Sequence, residues 1–188
     1  VSARVTLISA AASAATRAVS FPLDDSLDDA ARLAILTTTL RFDARSIALT
    51  SPALAAQETA AVLGLSAGVD SALADLDYGA WAGQSLEAIF RQHSSAAESW
   101  RSDPRAAPHG GESIAELAER AASWLASRTE GGRLIAVTHP AVIRAMAVAA
   151  MGAPPESFWN VDARPLHTTE LTSNGKRWVI GALNVPMS

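Results

Sequence analysis

Ala136-Val137-Thr138-His139-Pro140-Ala141-Val142-Ile143-Arg144 joins an apolar run directly to a proline-led segment. The apolar run at 134–137 reads as a buried strand, and the segment from Pro140 to Met151 reads as a helix that follows it without a linker. Thr138 and His139 therefore fall on a strand-to-helix turn. In open α/β sheets such turns, beyond the carboxyl ends of the strands, form the ligand crevice.

Outward from this unit the same alternation recurs. A short apolar run at 5–8 reads as a strand, and 28–40 as a helix with apolar Ala31, Ile35 and Leu36 and acids in its first turn. A second strand is expected at 46–49, a helix from Pro52 to Leu63 capped by Ser51, and a third strand near 68–71. Helices follow at 84–93 and 113–128, the latter placing Leu117, Ala121, Trp124 and Leu125 on one face. Strands at 166–172 and 177–183 flank Ser173-Asn174-Gly175-Lys176, whose Asn-Gly pair favours a hairpin. The expectation is an α/β protein: a three-layer α/β/α sandwich around a mostly parallel sheet, in one domain spanning 1–188.

Composition narrows the function classes. With 188 residues and 49% hydrophobic content, the chain can bury one substantial core. No apolar run approaches the roughly 20 residues that span a bilayer. No charged-then-apolar leader with a cleavage site opens the sequence, so a cytoplasmic protein without a membrane partner is expected. The absence of cysteine removes disulfides, thiolate nucleophiles and cysteine metal sites together. A formal charge of -4 argues against a nucleic-acid partner, which would need a basic stripe.

Four motifs carry a resemblance. Beside the stretch around His139 stand Ser51-Pro52-Ala53-Leu54-Ala55-Ala56-Gln57-Glu58-Thr59-Ala60, Leu73-Ala74-Asp75-Leu76-Asp77-Tyr78-Gly79-Ala80-Trp81-Ala82-Gly83 and Pro108-His109-Gly110-Gly111-Glu112-Ser113. In order and spacing the chain resembles the histidine phosphatase superfamily, the phosphoglycerate mutase-like proteins. The fold this implies is the phosphoglycerate mutase-like sandwich.

The resemblance breaks at its centre. The family's first motif reads Arg-His-Gly, and its histidine attacks phosphorus to form a phosphohistidine. Here the corresponding segment is Leu7-Ile8-Ser9-Ala10-Ala11-Ala12-Ser13, so Ser9 stands at the arginine position and Ala10 at the nucleophile. Alanine has no lone pair with which to attack. A second phosphate-clamping arginine of the family aligns with Ala55, and losing two guanidinium forks leaves little to hold a dianion.

The resemblance leaves two candidate catalytic groups. His139 matches the family's second histidine, which hydrogen-bonds the transferring phosphoryl group, and Asp75 matches its general acid. His139 also has a plain reading as a helix-capping residue, and Asp75 as a solvated loop carboxylate. Ser9, Ala10, Ser13, His109 and His167 are the candidate pocket residues, with His167 at the rim. Ser9 or Ser13 would act as nucleophile only beside a base. Glu112 and Ser113 read as a cap pair for the helix that follows, Asp77 as a loop tether, and Arg144 as the partner of an acid. His109, His139 and His167 lack compact metal-ligand spacing, so neither metal nor cofactor is implied. Trp81, Trp100, Trp124, Trp159 and Trp178 read as packing residues.

Three functions remain open from the sequence. One is a degenerate family member whose pocket binds a small molecule or a partner, with neutral ligands favoured over phosphorylated ones. Another is an enzyme using Asp75 and His139 for acid-base chemistry on a substrate that is not a phosphate ester. A third is a phosphomonoesterase in which the nucleophilic histidine was exchanged for Ala10 to trap a bound state.

Overall fold

The computed structural model describes residues 2–38, 42–43, 45–128 and 131–187. Six strands form one sheet: β1 (Ala3–Ser9), β2 (Ile47–Thr50), β3 (Gly68–Val69), β4 (Gly132–Thr138), β5 (His167–Ser173) and β6 (Trp178–Pro186), in the order β3-β2-β4-β1-β5-β6. The β1, β2, β3 and β4 strands run parallel, and β5 is antiparallel to both neighbours. The sheet is thus mixed but mostly parallel, as the βα alternation implies, and β5 and β6 form the hairpin signalled by Asn174-Gly175.

Helices cover both faces because successive side chains of a strand point to opposite sides. Val5 and Leu7 face a core shared with α6 (Ile114–Ala126) and α7 (Pro140–Met151). Ile8, Ala10, Ile135 and Val137 face the other way, toward Ala56 and Ala60 of α3 (Leu54–Val62). The short α1 (Ala14–Arg17) follows β1, and α2 (Asp29–Leu36) packs Ala31 and Ile35 beside Ala11. Two further helices, α4 (Leu86–Gln92) and α5 (Ser94–Ser102), contribute Ile89 and Trp100 to the first core. The α5 segment has no counterpart among the sequence-based expectations: serine-rich and polar, it shows a helical period only through Ala97 and Trp100.

Several expected helix starts and caps change for identifiable reasons. The helix expected from 28 starts at Asp29, with Asp28 as the cap whose carboxylate accepts from Ala31 N, and ends at Leu36; the end expected at 40 lies outside the described residues. The helix expected at Pro52 starts at Leu54, and Ser51 does not cap it. Ser51 Oγ accepts from Ala53 N at 3.2 Å and is committed to another partner, while Asp24, thirty residues upstream, accepts from Leu54 N at 2.7 Å. At α6 the cap pair is Ser113 with Glu116, a complete capping box, and not Glu112 with Ser113. Replacing Ser113 by Ala should lower stability by about 1 kcal/mol in urea denaturation.

Glu112 instead faces Arg120 in a bidentate pair at 2.9 and 2.7 Å. The same guanidinium donates to the carbonyls of Ala72, Ala74 and Asp75, tying α6 to the loop that carries Asp75. That loop meets the segment around His109 backbone to backbone. A Cβ on Gly79 would collide with the His109 carbonyl, and one on Gly111 with the Asp77 carbonyl, so both positions demand glycine.

Candidate functional site

Strand register brings the site together. Ser9 lies opposite Thr138, and Thr50 opposite Val137, so β1, β2 and β4 end at one edge of the sheet. Ala10 N donates to Thr138 O at 2.8 Å and Ser51 N to Val137 O at 2.9 Å, carrying the alignment one residue past the strands. His139 follows Thr138 as the N-cap of α7 in an extended conformation, with Pro140 opening the helix.

Two adjoining cavities occupy this edge. The smaller, about 110 Å³, is lined by Ala10, Ser13, Ala55, Asp75, Tyr78 and His139 among others. The larger, about 350 Å³, shares Asp24, Asp75, Tyr78 and His139 and adds Ser51 and Asp77. Among the described residues, no lysine or arginine lines either one. The nearby guanidiniums are engaged elsewhere: Arg17 with Asp28 and the Ala12 carbonyl, Arg32 with Glu58, and Arg144 with Asp162 at 3.9 Å.

His139 is the centre of the polar geometry. Its Nε2 lies 2.8 Å from Ser51 Oγ, and its Nδ1 lies 3.6 Å from Asp75 Oδ2. One proton arrangement satisfies both contacts: Nδ1–H faces the carboxylate and Ser51 O–H donates to Nε2. Asp75 Oδ1 accepts from Leu76 N at 2.8 Å, which aims the other oxygen at the imidazole. Ser51 is fully buried and lines the larger cavity beside His139, so its hydroxyl fixes the ring through Nε2 at the cavity wall.

The remaining candidates are dispersed. Ser9 is fully buried; its Oγ meets no hydrogen-bond partner among the described residues and does not line these cavities. Ser13 lines the smaller cavity but contacts Thr16, not a base. His167 directs Nδ1 at the Pro165 carbonyl, 2.9 Å away, outside both cavity walls. Among the described residues no group of three His, Asp or Glu side chains is placed to hold a metal.

His109 is neither solvated nor in the cavity wall. It is 3% exposed, with ring centroids of Trp81, Tyr78 and Trp100 at 5.1, 6.3 and 6.3 Å. Its Nδ1 accepts from Gly111 N, which leaves the proton on Nε2, buried without a partner among the described residues. Burial holds its pKa below the ordinary 6.5, against a smaller opposing pull from Asp77. An imidazole that resists protonation when folded contributes stability above the unfolded pKa, lost as pH falls through the folded one. Thermal stability should therefore decline as pH drops below 6.5, and His109→Gln should flatten that decline; an unchanged slope would assign it elsewhere. The carboxylates of Asp28, Asp43 and Glu116, held low chiefly by backbone N–H donors, act in a separate window below about pH 4.

Sequence reasoning missed Ser51 as a histidine partner, and it missed Asp24 and Tyr78 as cavity residues. Ser51 reads locally as a cap because Pro52 follows it, and only the strand register reveals its neighbour. Tyr78 lines both cavities, and burial, reinforced by the Asp75 charge, pushes its phenol pKa well up, so it stands there as a neutral hydroxyl.

The model of the histidine phosphatase superfamily (branch 1) matches residues 17–186, and the chain belongs to that family. The match begins downstream of β1 and the segment around Ala10.

Among solved structures, the chain is similar to a mycobacterial glucosyl-3-phosphoglycerate phosphatase, at 22% identity and a TM-score of 0.83, covering 98% of this chain and 100% of that one. It is also similar to a putative alpha-ribazole-5'-phosphate phosphatase from Escherichia coli, at 19% identity and a TM-score of 0.85, covering 99% and 98%. A third is a histidine-to-alanine variant of phosphoserine phosphatase from Entamoeba histolytica in complex with phosphoserine, at 18% identity and a TM-score of 0.81, covering 97% and 96%. Identities this low show the fold alone. No curated protein matches the chain in sequence. Among the described residues no helix is long and apolar enough to cross a membrane.

Proposed function

We propose that this chain is a histidine phosphatase-fold protein that keeps the family's pocket without its phosphohistidine chemistry, and that the pocket binds a small ligand lacking phosphate. One observation carries the reading: Ala10 sits in the wall of a cavity to which no lysine or arginine contributes among the described residues. A phosphoryl dianion entering there would meet the carboxylates of Asp24, Asp75 and Asp77 in place of a guanidinium fork. Inorganic phosphate should give no saturable heat in a calorimetric titration at physiological salt. Tight, saturable binding would overturn the reading.

The imidazole geometry favours a second reading, acid-base chemistry on a substrate that is not a phosphate ester. Asp75 and Ser51 bracket the two ring nitrogens of His139, the arrangement by which a carboxylate orients a histidine for proton transfer. If His139 turns over a substrate, His139→Ala abolishes turnover, and Asp75→Asn lowers kcat while shifting the pH profile. A flat pH profile in wild type and Asp75→Asn alike would reject it.

A further inference from the structure

The formal charges on the cavity walls are all of one sign. Among the described residues Asp24, Asp75 and Asp77 contribute carboxylates, no lysine or arginine lines either cavity, and Pro22, Leu23, Ala53 and Tyr78 supply apolar and neutral surface beside His139. A cleft lined by one sign of charge with low-dielectric walls concentrates the opposite ion. We propose that the ligand is a small organic cation, a primary or secondary ammonium on a short apolar body. This rests on the reading of the edge cavities as a ligand site and names the ligand's class.

Three observations set that class. Asp24 uses Oδ1 to accept from Leu54 N at 2.7 Å, so the loop carrying it is fixed against α3, and its Oδ2 has no hydrogen-bond partner among the described residues. Asp75 is similarly fixed through Oδ1 by Leu76 N, its side chain is only 17% exposed, and Oδ2 is shared with His139 at a distance that leaves it able to accept a further donor. Two anchored carboxylates in walls common to both cavities suit a compact donor of several N–H bonds, which an ammonium supplies. The same walls carry Tyr78, whose raised phenol keeps it neutral, offering a ring face and a hydroxyl to a cation. The apolar share of the wall, from Pro22, Leu23 and Ala53, suits a short carbon chain and would reject a strongly hydrated metal ion.

The test is a titration of the intact chain, followed by backbone amide NMR, with n-butylammonium, 1-butanol and butyrate, three probes of one size and three charges. The expected result is saturable shifts at Ala10, Ala53, Asp75 and Tyr78 for the ammonium, about tenfold tighter than for the alcohol, with no binding of butyrate. Asp24→Asn and Asp75→Asn, whose amide oxygens can still accept from Leu54 N and Leu76 N, should each reduce the ammonium affinity by a larger factor than the alcohol's. If the alcohol binds at these residues as tightly as the ammonium, or both variants leave the ammonium unaffected, the cation assignment falls and the ligand pocket stands. If none of the three probes shifts these residues, or butyrate binds best, both fall.

Discussion

Ala10→His alone should leave the protein without phosphatase turnover, whereas Ala10→His combined with Ser9→Arg and Ala55→Arg should raise hydrolysis of p-nitrophenyl phosphate by several orders of magnitude. The reason lies in the division of labour at the site. A nucleophile lowers the barrier only if the phosphoryl group is held in line with it, and guanidinium forks do most of that holding. Position 10 directly follows β1 in the cavity wall and position 55 lines the same cavity, so these two replacements enter the pocket, and Ser9 is the adjoining last residue of β1. His139 already lines that cavity. Full rescue by Ala10→His alone would instead identify a competent phosphomonoesterase lacking only its nucleophile, the third function open from the sequence.

The second large effect is structural. Arg120→Ala should cost about 3 kcal/mol, since it strips a half-buried carboxylate, Glu112, of its bidentate partner and leaves the carbonyls of Ala72 and Ala74 without this donor. For a chain of this size that amounts to a fall of roughly 6 to 12 °C in melting temperature. Arg120→Lys should recover only part of it, because an ammonium cannot span the carboxylate and the loop carbonyls together. Both variants should also broaden the amide resonances of the Asp75 loop, which the guanidinium holds in place. A melting temperature within a degree or so of wild type would show that α6 does not anchor that loop.

The fold was legible where a local pattern and the tertiary outcome agree. The β4-α7 unit could be read from its apolar run and Pro140, and α7 spans Pro140–Met151 as expected. The hairpin was written in Asn174-Gly175, whose glycine adopts a positive φ. Where partners come from far along the chain, the sequence was silent. Nothing near Ser51 announces that its hydroxyl faces an imidazole 88 residues away, and nothing near Leu54 shows that its N–H is met by Asp24. The short-range rule that serine before proline caps a helix pointed instead to a start two residues early.

The site was half legible for the same reason. Ala10, Ser13, Asp75 and His139 could be named from motifs and do line one cavity, because motif order follows the strand ends. His109 and His167 were placed near the pocket by their loops, but one ring is absorbed into the aromatic cluster of Tyr78, Trp81 and Trp100, and the other is tied to the Pro165 carbonyl. Packing decided both, and packing is not written in a loop's composition.

The most direct measurement is intact-mass spectrometry of the purified chain after incubation with a reactive phosphomonoester, with turnover followed in the same sample. The expected result is an unmodified mass and no metal-independent hydrolysis that survives repeated purification. A covalent phosphoryl adduct, or turnover that copurifies with the chain and is lost in His139→Ala, would contradict the claim that this pocket has been kept without its phosphoryl chemistry.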